Sequence, residues 1–477
     1  MNLRAKVLSG LFWVGGTRLL SQVLTWGITI VVVRLLTPAD YGLLAMATVF
    51  MGLLNLIAEA GLGSALIQAP QVDDLTLRRI FGAVIMIDTG LFALQFAAAP
   101  AIAYFFAEDR LIPIIRVLSL QFLLMIFAVI PTALLSRSLS FKGQSMIGLA
   151  GAVCASLASL GLALYGYGVW ALVASNLVAA AITTVALNVV QPFLKWPSFS
   201  LRGMRGLIVL GGQLTAARVL YFIYSQSDVF IGGRLLGKDL LGFYSVSLHL
   251  ASLPVQRISA VVNQIAFPAF AEASQKPETV PVHMLKGVRM LSFLSFPVLW
   301  GISSVAPEFV AVLLGPTWQT AVVPMQLLPL VMPITILGPF LNTAFQGIGR
   351  ARVVLMNMLT AALIMPVLFW AGTHWSLMGL SLAWLVGFPL VFIINLHRML
   401  PLVGLKLTDV FAAAALPAAA ALAMYACVAA AREALPSGLP APFALAALIP
   451  TGVVGYAIAT LAVNRKGLRE ALNLFRR

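Results

Sequence analysis

Apolar runs of about 20 residues, the length at which a helix crosses about 30 Å of hydrocarbon, follow one another along the whole chain. Short stretches of proline, glycine and charge separate them. About fourteen runs predict transmembrane helices. The first six cover 10–36, 42–66, 80–106, 113–135, 147–165 and 169–190. A polar loop, QPFLKWPSFSLRGMR, interrupts the pattern before six more, at 206–231, 242–266, 290–314, 322–345, 353–371 and 377–396. Two further runs, 410–431 and 442–463, follow. The fold class is therefore an all-α polytopic membrane protein. Its first segment mimics a signal peptide, but the apolar run continues past Arg18 to Leu36 without a small-x-small cleavage site, so it reads as a retained helix.

Composition agrees with this layout. The chain is 61% apolar and 9% charged, against about 25% charge in soluble proteins, and its mean hydropathy is +1.01. The excess of 30 Lys+Arg over 15 Asp+Glu would point to nucleic acid in a soluble protein. Here it is a topology signal. Of the 30 cations, 21 fall on the side of the N-terminus and 6 on the other, with Arg18, Arg218 and Arg257 inside spans. Cations gather on the cytoplasmic face, which predicts an inner-membrane protein with both termini in the cytoplasm, in contact with anionic membrane lipids and not with nucleic acid. Cys154 and Cys427 lie in separate apolar runs with no metal or redox spacing and read as packing residues. No cofactor or metal site is expected.

An internal repeat divides the chain. At a constant offset of 200, Arg18, Leu20, Arg34, Leu35, Leu36 and Gly42 match Arg218, Leu220, Arg234, Leu235, Leu236 and Gly242. An even number of spans separates the copies, so both run the same way across the membrane. This predicts two six-helix lobes, 10–190 and 206–396, related by a pseudo-two-fold axis, with two additional helices over 410–463. A substrate path would lie between the lobes and open to alternate sides.

The basic start, GLFWVGGTRLLSQVLTWGITIVVVRLLTPADYGLLAMA, the AEAGLGSALIQ stretch and the second-half copy resemble the Wzx-type polysaccharide flippases of the multidrug/oligosaccharidyl-lipid/polysaccharide exporter superfamily. The resemblance implies a flippase that moves undecaprenyl-pyrophosphate-linked oligosaccharide to the periplasmic leaflet for exopolysaccharide, capsule or O-antigen (lipopolysaccharide) assembly. It also implies a polysaccharide polymerase or chain-length regulator as partner; for the last two helices it implies a role in holding the polyprenyl tail, with packing against the core as the alternative.

Ionisable groups inside spans are costly and tend to face a cavity or one another. Arg18, Glu59 and Asp88 share a depth of about 10 to 12 Å from the cytoplasmic edge, at 1.5 Å per residue. Two roles are open for them: a buried salt-bridge cluster, or proton coupling. Asp228, near the opposite end, is a third ion-coupling candidate. Arg218 and Arg257 lie deeper with no acidic residue at their level, and two roles are open: a guanidinium fork suits pyrophosphate oxygens, and a long cation can instead extend its head toward an interface. Helical spacing adds Gln22 to the face of Arg18 and Tyr221 to that of Arg218, while His249, Ser252, Gln256 and Asn263 form another polar stripe. The candidate substrate-binding set is Arg18, Gln22, Arg218, Tyr221, Gln256 and Arg257.

Two alternatives share the superfamily: a lipid II flippase and a cation-coupled multidrug exporter. The latter should carry carboxylates in its first helix, where the only charge within the span's interior is Arg18. A membrane-bound polymerase or glycosyltransferase is a different class. The pairs Asp73–Asp74 and Glu108–Asp109 have no neighbouring ligand set and read as solvated loop charge. With short periplasmic loops and no nucleotide-binding or nucleophile motif, no enzyme is expected.

Overall fold

The protein is seen here as a computed structural model that describes residues 25–58, 66, 73–138, 141–200, 219, 221–273, 277–436 and 438–465. A short apolar helix, α1 (Thr25–Leu35), leads into α2 (Pro38–Ala58). Then come α3 (Asp74–Phe106), α4 (Leu111–Met125), α5 (Val129–Arg137), α6 (Phe141–Leu164) and α7 (Val169–Val190). After the central linker follow α8 (Ser227–Ala273), α9 (Val280–Ser304), α10 (Ala306–Leu313), α11 (Val322–Gly347), α12 (Ala351–Gly372), α13 (Ser376–Met399), α14 (Leu407–Ala434) and α15 (Ala441–Val463). Among the described residues nine helical segments are long and apolar enough to cross a membrane, or ten with the α4–α5 pair, which is bent by 46°. That pair occupies the expected single span at 113–135.

The chain divides into two compact units, 1–242 and 243–477. The division falls within α8, five residues past Gly237, where φ 79° and ψ 176° break the helix. Only glycine takes this backbone without strain.

In the first unit α3 sets the frame. Asp73 caps it by accepting from the Thr76 amide at 3.0 Å, and Ala107 ends it in the left-handed region at φ 54°. The helix starts six residues before the apolar run at 80, and this polar extension seats the central linker. Phe193 is buried among Leu66, Ile80, Phe81 and Ile130, its ring meeting Phe81 edge-on at 5.4 Å. Arg78 Nε donates to the Trp196 carbonyl at 2.9 Å, the Ser198 amide donates to the Arg78 carbonyl at 2.8 Å, and Lys195 pairs with Asp74. Gly82 leaves room for the Ser198 backbone.

The repeat has a structural counterpart. A Cβ on Gly42 would run into the Lys238 carbonyl, and a Cβ on Gly242 into the Pro38 carbonyl. Each residue of the one contact lies 200 positions from its equivalent in the other, so the two copies cross reciprocally, backbone on backbone. Beside this crossing Glu108 binds Lys238 at 2.5 Å and Arg110 at 3.0 Å. Of the acidic pairs expected as solvated loop charge, Asp73 and Asp74 are exposed, the first also capping α3 and the second pairing with Lys195, whereas Glu108 is largely withdrawn from water and held by two cations.

In the second unit α9 packs on α11 and α14, α12 on α13, and α14 on α15. Trp300 and Ser303 of α9 donate to the Leu330 and Gln326 carbonyls of the proline-rich α11, at 3.0 and 2.6 Å. Such cross-helix bonds hold bundles together where apolar contact cannot distinguish helix from lipid. Buried Trp384 donates to the hydroxyl of buried Tyr244 at 2.6 Å. Arg432 and Glu308 make a two-pronged ion pair at 2.7 and 2.8 Å. Phe443, Val453, Val454 and Ile458 of α15 point outward, as the apolar sequence of the last helices leads one to expect.

Candidate functional site

Of the nine residues singled out by sequence, the structure describes Asp88, Tyr221, Asp228, Gln256 and Arg257; Arg18, Gln22, Glu59 and Arg218 lie outside the described residues. In the first unit Asp88 sits midway along α3, 2% exposed, with no described cation paired to it. Two turns further along the same face, Gln95 is 1% exposed, and both its Nε2 and Oε1 are without partners among the described residues. Burying a carboxyl and an amide this way costs several kcal/mol unless each finds a polar partner or the acid takes up a proton.

Asp228 has a different setting. It is fully buried in the first turn of α8, where its Oδ1 accepts from the Val229 amide at 2.8 Å. Tyr221 is half-exposed and packs edge-on against Tyr224 at 5.3 Å.

In the second unit three residues of the expected polar stripe of α8 are described, His249, Ser252 and Gln256, while the Asn263 side chain lies outside the described residues. The Ser252 hydroxyl donates to the His249 carbonyl at 2.8 Å, and Gln256 Nε2 donates to that hydroxyl at 3.3 Å. Gln256 and Arg257 are both exposed, and no described carboxylate pairs with Arg257. An exposed guanidinium without a described carboxylate offers donors to an anion. Among the described residues no group of three His, Cys, Asp or Glu is placed to hold a metal ion.

Sequence reading missed one polar network. Arg398 near the end of α13 donates to Asn357 Oδ1 at 3.0 Å and to Thr360 Oγ1 at 3.1 Å, both on α12. Asn357 in turn donates to Asn342 Oδ1 at 3.0 Å. Arg398 stands in sequence as one more basic residue at a helix end; the signal that marks it is Asn357, an amide in the middle of an apolar run.

The family model for polysaccharide biosynthesis proteins matches residues 31–323. Lipopolysaccharide biosynthesis protein WzxC of Escherichia coli (strain K12) is 24% identical over 83% of this chain and 80% of its own length. Succinoglycan biosynthesis transport protein ExoT of Rhizobium meliloti (strain 1021) is 26% identical over 70% and 69%. Teichuronic acid biosynthesis protein TuaB of Bacillus subtilis (strain 168) is 26% identical over 62% of each chain, so the match spans somewhat less than two thirds of that relative. The fold is shared with the lipid II flippase MurJ in an inward closed conformation, at TM-score 0.79 and 12% identity, over 95% of this chain and 99% of that one. An inward-facing MATE multidrug transporter of the MOP superfamily follows at TM-score 0.65 and 14% identity, over 80% and 94%. With more than half of its length matched by the family model, and the helical fold of that transporter superfamily, this chain belongs to the polysaccharide biosynthesis protein family of multi-pass membrane proteins.

Proposed function

We propose that the protein is a flippase, not an enzyme, that carries undecaprenyl-pyrophosphate-linked oligosaccharide from the cytoplasmic to the periplasmic leaflet of the inner membrane by alternating access. The product would feed exopolysaccharide, capsule or O-antigen assembly, with a polysaccharide polymerase as downstream partner. The observation that carries this reading is the agreement between sequence and fold. Relatives named for lipopolysaccharide, succinoglycan and teichuronic acid biosynthesis match most of the chain, and the fold is one that a lipid II flippase uses.

The residues fit the chemistry. Arg218 and Arg257 are assigned to the pyrophosphate, with Arg18, Gln22, Tyr221 and Gln256 lining the path. Asp88, with Glu59 and Asp228 as further candidates, is assigned to ion coupling. In the second unit, α9, α14 and α15 enclose an apolar cavity of about 360 Å³ between Pro297, Gly301, Met424, Val428, Leu448 and Gly452, a surface on which a polyprenyl tail can lie. The 21-to-6 excess of basic residues supports cytoplasmic termini.

The test uses liposomes containing the full-length protein and fluorescent undecaprenyl-pyrophosphate oligosaccharide, with leaflet exchange as readout. Wild-type exchange that disappears in a folded Arg218→Ala/Arg257→Ala protein supports carrier and clamp together. Exchange that survives the double substitution removes the clamp and keeps the flippase. No wild-type exchange across several glycans, with transport of an organic cation instead, favours the multidrug-exporter alternative.

A further inference from the structure

Antiparallel α12 and α13 bring Arg350, Arg352, His397, Arg398 and Lys406 to one end of the second unit. By the excess of positive charge this end faces the cytoplasm. Arg350, Arg352 and Lys406 are exposed, as solvated charge at a helix end should be. Arg398 is different.

A long cation at the end of a membrane helix ordinarily extends its head toward water. Arg398 instead reaches along α12 to Asn357 and Thr360, at 3.0 and 3.1 Å. These anchors lie about 9 and 13 Å from the start of α12 at 1.5 Å per residue. Thr360 falls at helical spacing within the exposed stripe of Met356, Leu363, Val367 and Trp370, an apolar face of the kind that meets lipid. Both anchors are neutral. Three of the five N–H donors of Arg398 are without partners among the described residues, and no described carboxylate pairs with it.

The anchors are themselves fixed. Asn357 is buried, and its Nδ2 is committed to Asn342 Oδ1 at 3.0 Å, which turns its oxygen toward Arg398. The Thr360 hydroxyl donates to the Met356 carbonyl at 2.9 Å and so presents a lone pair. The guanidinium is thus oriented before any ligand arrives, at the edge of the lipid-facing surface, with its charge uncompensated. Exposed Arg352, two turns before Thr360 on the same stripe, adds a second cation nearer the water.

We propose that Arg398, seated on Asn357 and Thr360 with Arg352 above it, binds the phosphate of a lipid lying in the cytoplasmic leaflet. A phosphodiester or pyrophosphate supplies acceptors in the plane of the free guanidinium edge, and its alkyl chains run beside Leu363 and Val367. This does not depend on the transport reading. The site serves equally for a bulk anionic phospholipid or for the polyprenyl carrier on its way to the path.

Native mass spectrometry of the full-length protein in detergent tests it, by titration with phosphatidylglycerol, phosphatidylcholine, undecaprenyl pyrophosphate and inorganic phosphate. One lipid should bind wild type about tenfold more tightly than Arg398→Gln, the scale of a lost charge-assisted hydrogen-bond pair. Arg398→Lys should restore part of the affinity, and Thr360→Val, which keeps the charge and removes one anchor, should weaken binding severalfold. Arginine-dependent binding of phosphatidylglycerol identifies bulk phospholipid as the occupant; arginine-dependent binding of undecaprenyl pyrophosphate alone identifies the carrier. Equal affinities in wild type and a folded Arg398→Gln for both lipids overturn the proposal. Should Arg398→Gln fail to fold, unchanged affinities in Thr360→Val overturn it.

Discussion

Replacing Glu108 by glutamine removes the charge that joins the α3–α4 turn to the second-half segment beside the glycine crossing. Glu108 binds Lys238 at 2.5 Å and Arg110 at 3.0 Å, with side-chain exposures of 16% for Glu108, 27% for Lys238 and 56% for Arg110. Breaking a fully buried pair costs about 3–5 kcal/mol, and an exposed pair contributes about 0–1 kcal/mol. Between these limits Glu108→Gln should cost about 2 kcal/mol, most of it through Lys238, since Arg110 is largely in water. A double-mutant cycle with Lys238→Met, read by unfolding in mixed detergent–SDS micelles, should return a coupling of about 1.5 kcal/mol. The pair also predicts a pH dependence. Burial pushes the Glu108 carboxyl up, but hydrogen bonds and charge from Lys238 and Arg110 outweigh it and hold the group below the usual glutamate range. The native carboxyl therefore binds its proton less readily than the unfolded one. Its contribution is complete above about pH 4.3, the ordinary glutamate value, and is lost as the pH falls further through the native value. A coupling below about 0.3 kcal/mol, or an acid response identical in wild type and Glu108→Gln, would refute the reasoning.

Two further outcomes follow from packing. Gly42→Val and Gly242→Val each force a side chain against a repeat-related backbone carbonyl and should each cost at least about 2 kcal/mol, seen as a collapsed yield of monodisperse protein, whereas the same change at Gly90, which has open space around it, should be mild. Phe193→Ala should cost about 3–5 kcal/mol and release the central linker, read as faster proteolysis at 191–200 than in wild type.

Periodicity and charge make much of this protein legible from the chain alone. A run of about 20 apolar residues has one stable solution in hydrocarbon, a helix whose backbone bonds are internal. The observed segments α2, α3, α6, α7, α9 and α11 to α15 accordingly overlap the expected spans. The repeat is visible because Gly42 and Gly242 are needed wherever two backbones cross closely, and only glycine permits it. Of the described candidate residues, Asp88 and Asp228 are buried, whereas Tyr221, Gln256 and Arg257 are exposed.

Tertiary structure alone decides the rest. Whether a loop carboxylate is solvated or paired depends on partners more than a hundred positions away, as with Glu108 and Lys238 or Glu308 and Arg432. The extension of α3 below its apolar run exists because the linker lies on it, a contact without periodic signature. The bend between α4 and α5 divides a run that hydropathy reads as one span. Arg398 shows the limit most clearly. Its sequence neighbours place it at a basic helix end, but the direction of its guanidinium is set by Asn357 and Thr360 on another helix. Hydrophobic pattern is a property of each segment taken separately and fixes which segments enter the membrane; the pairing of polar groups belongs to contacts between segments, and only their packing determines it.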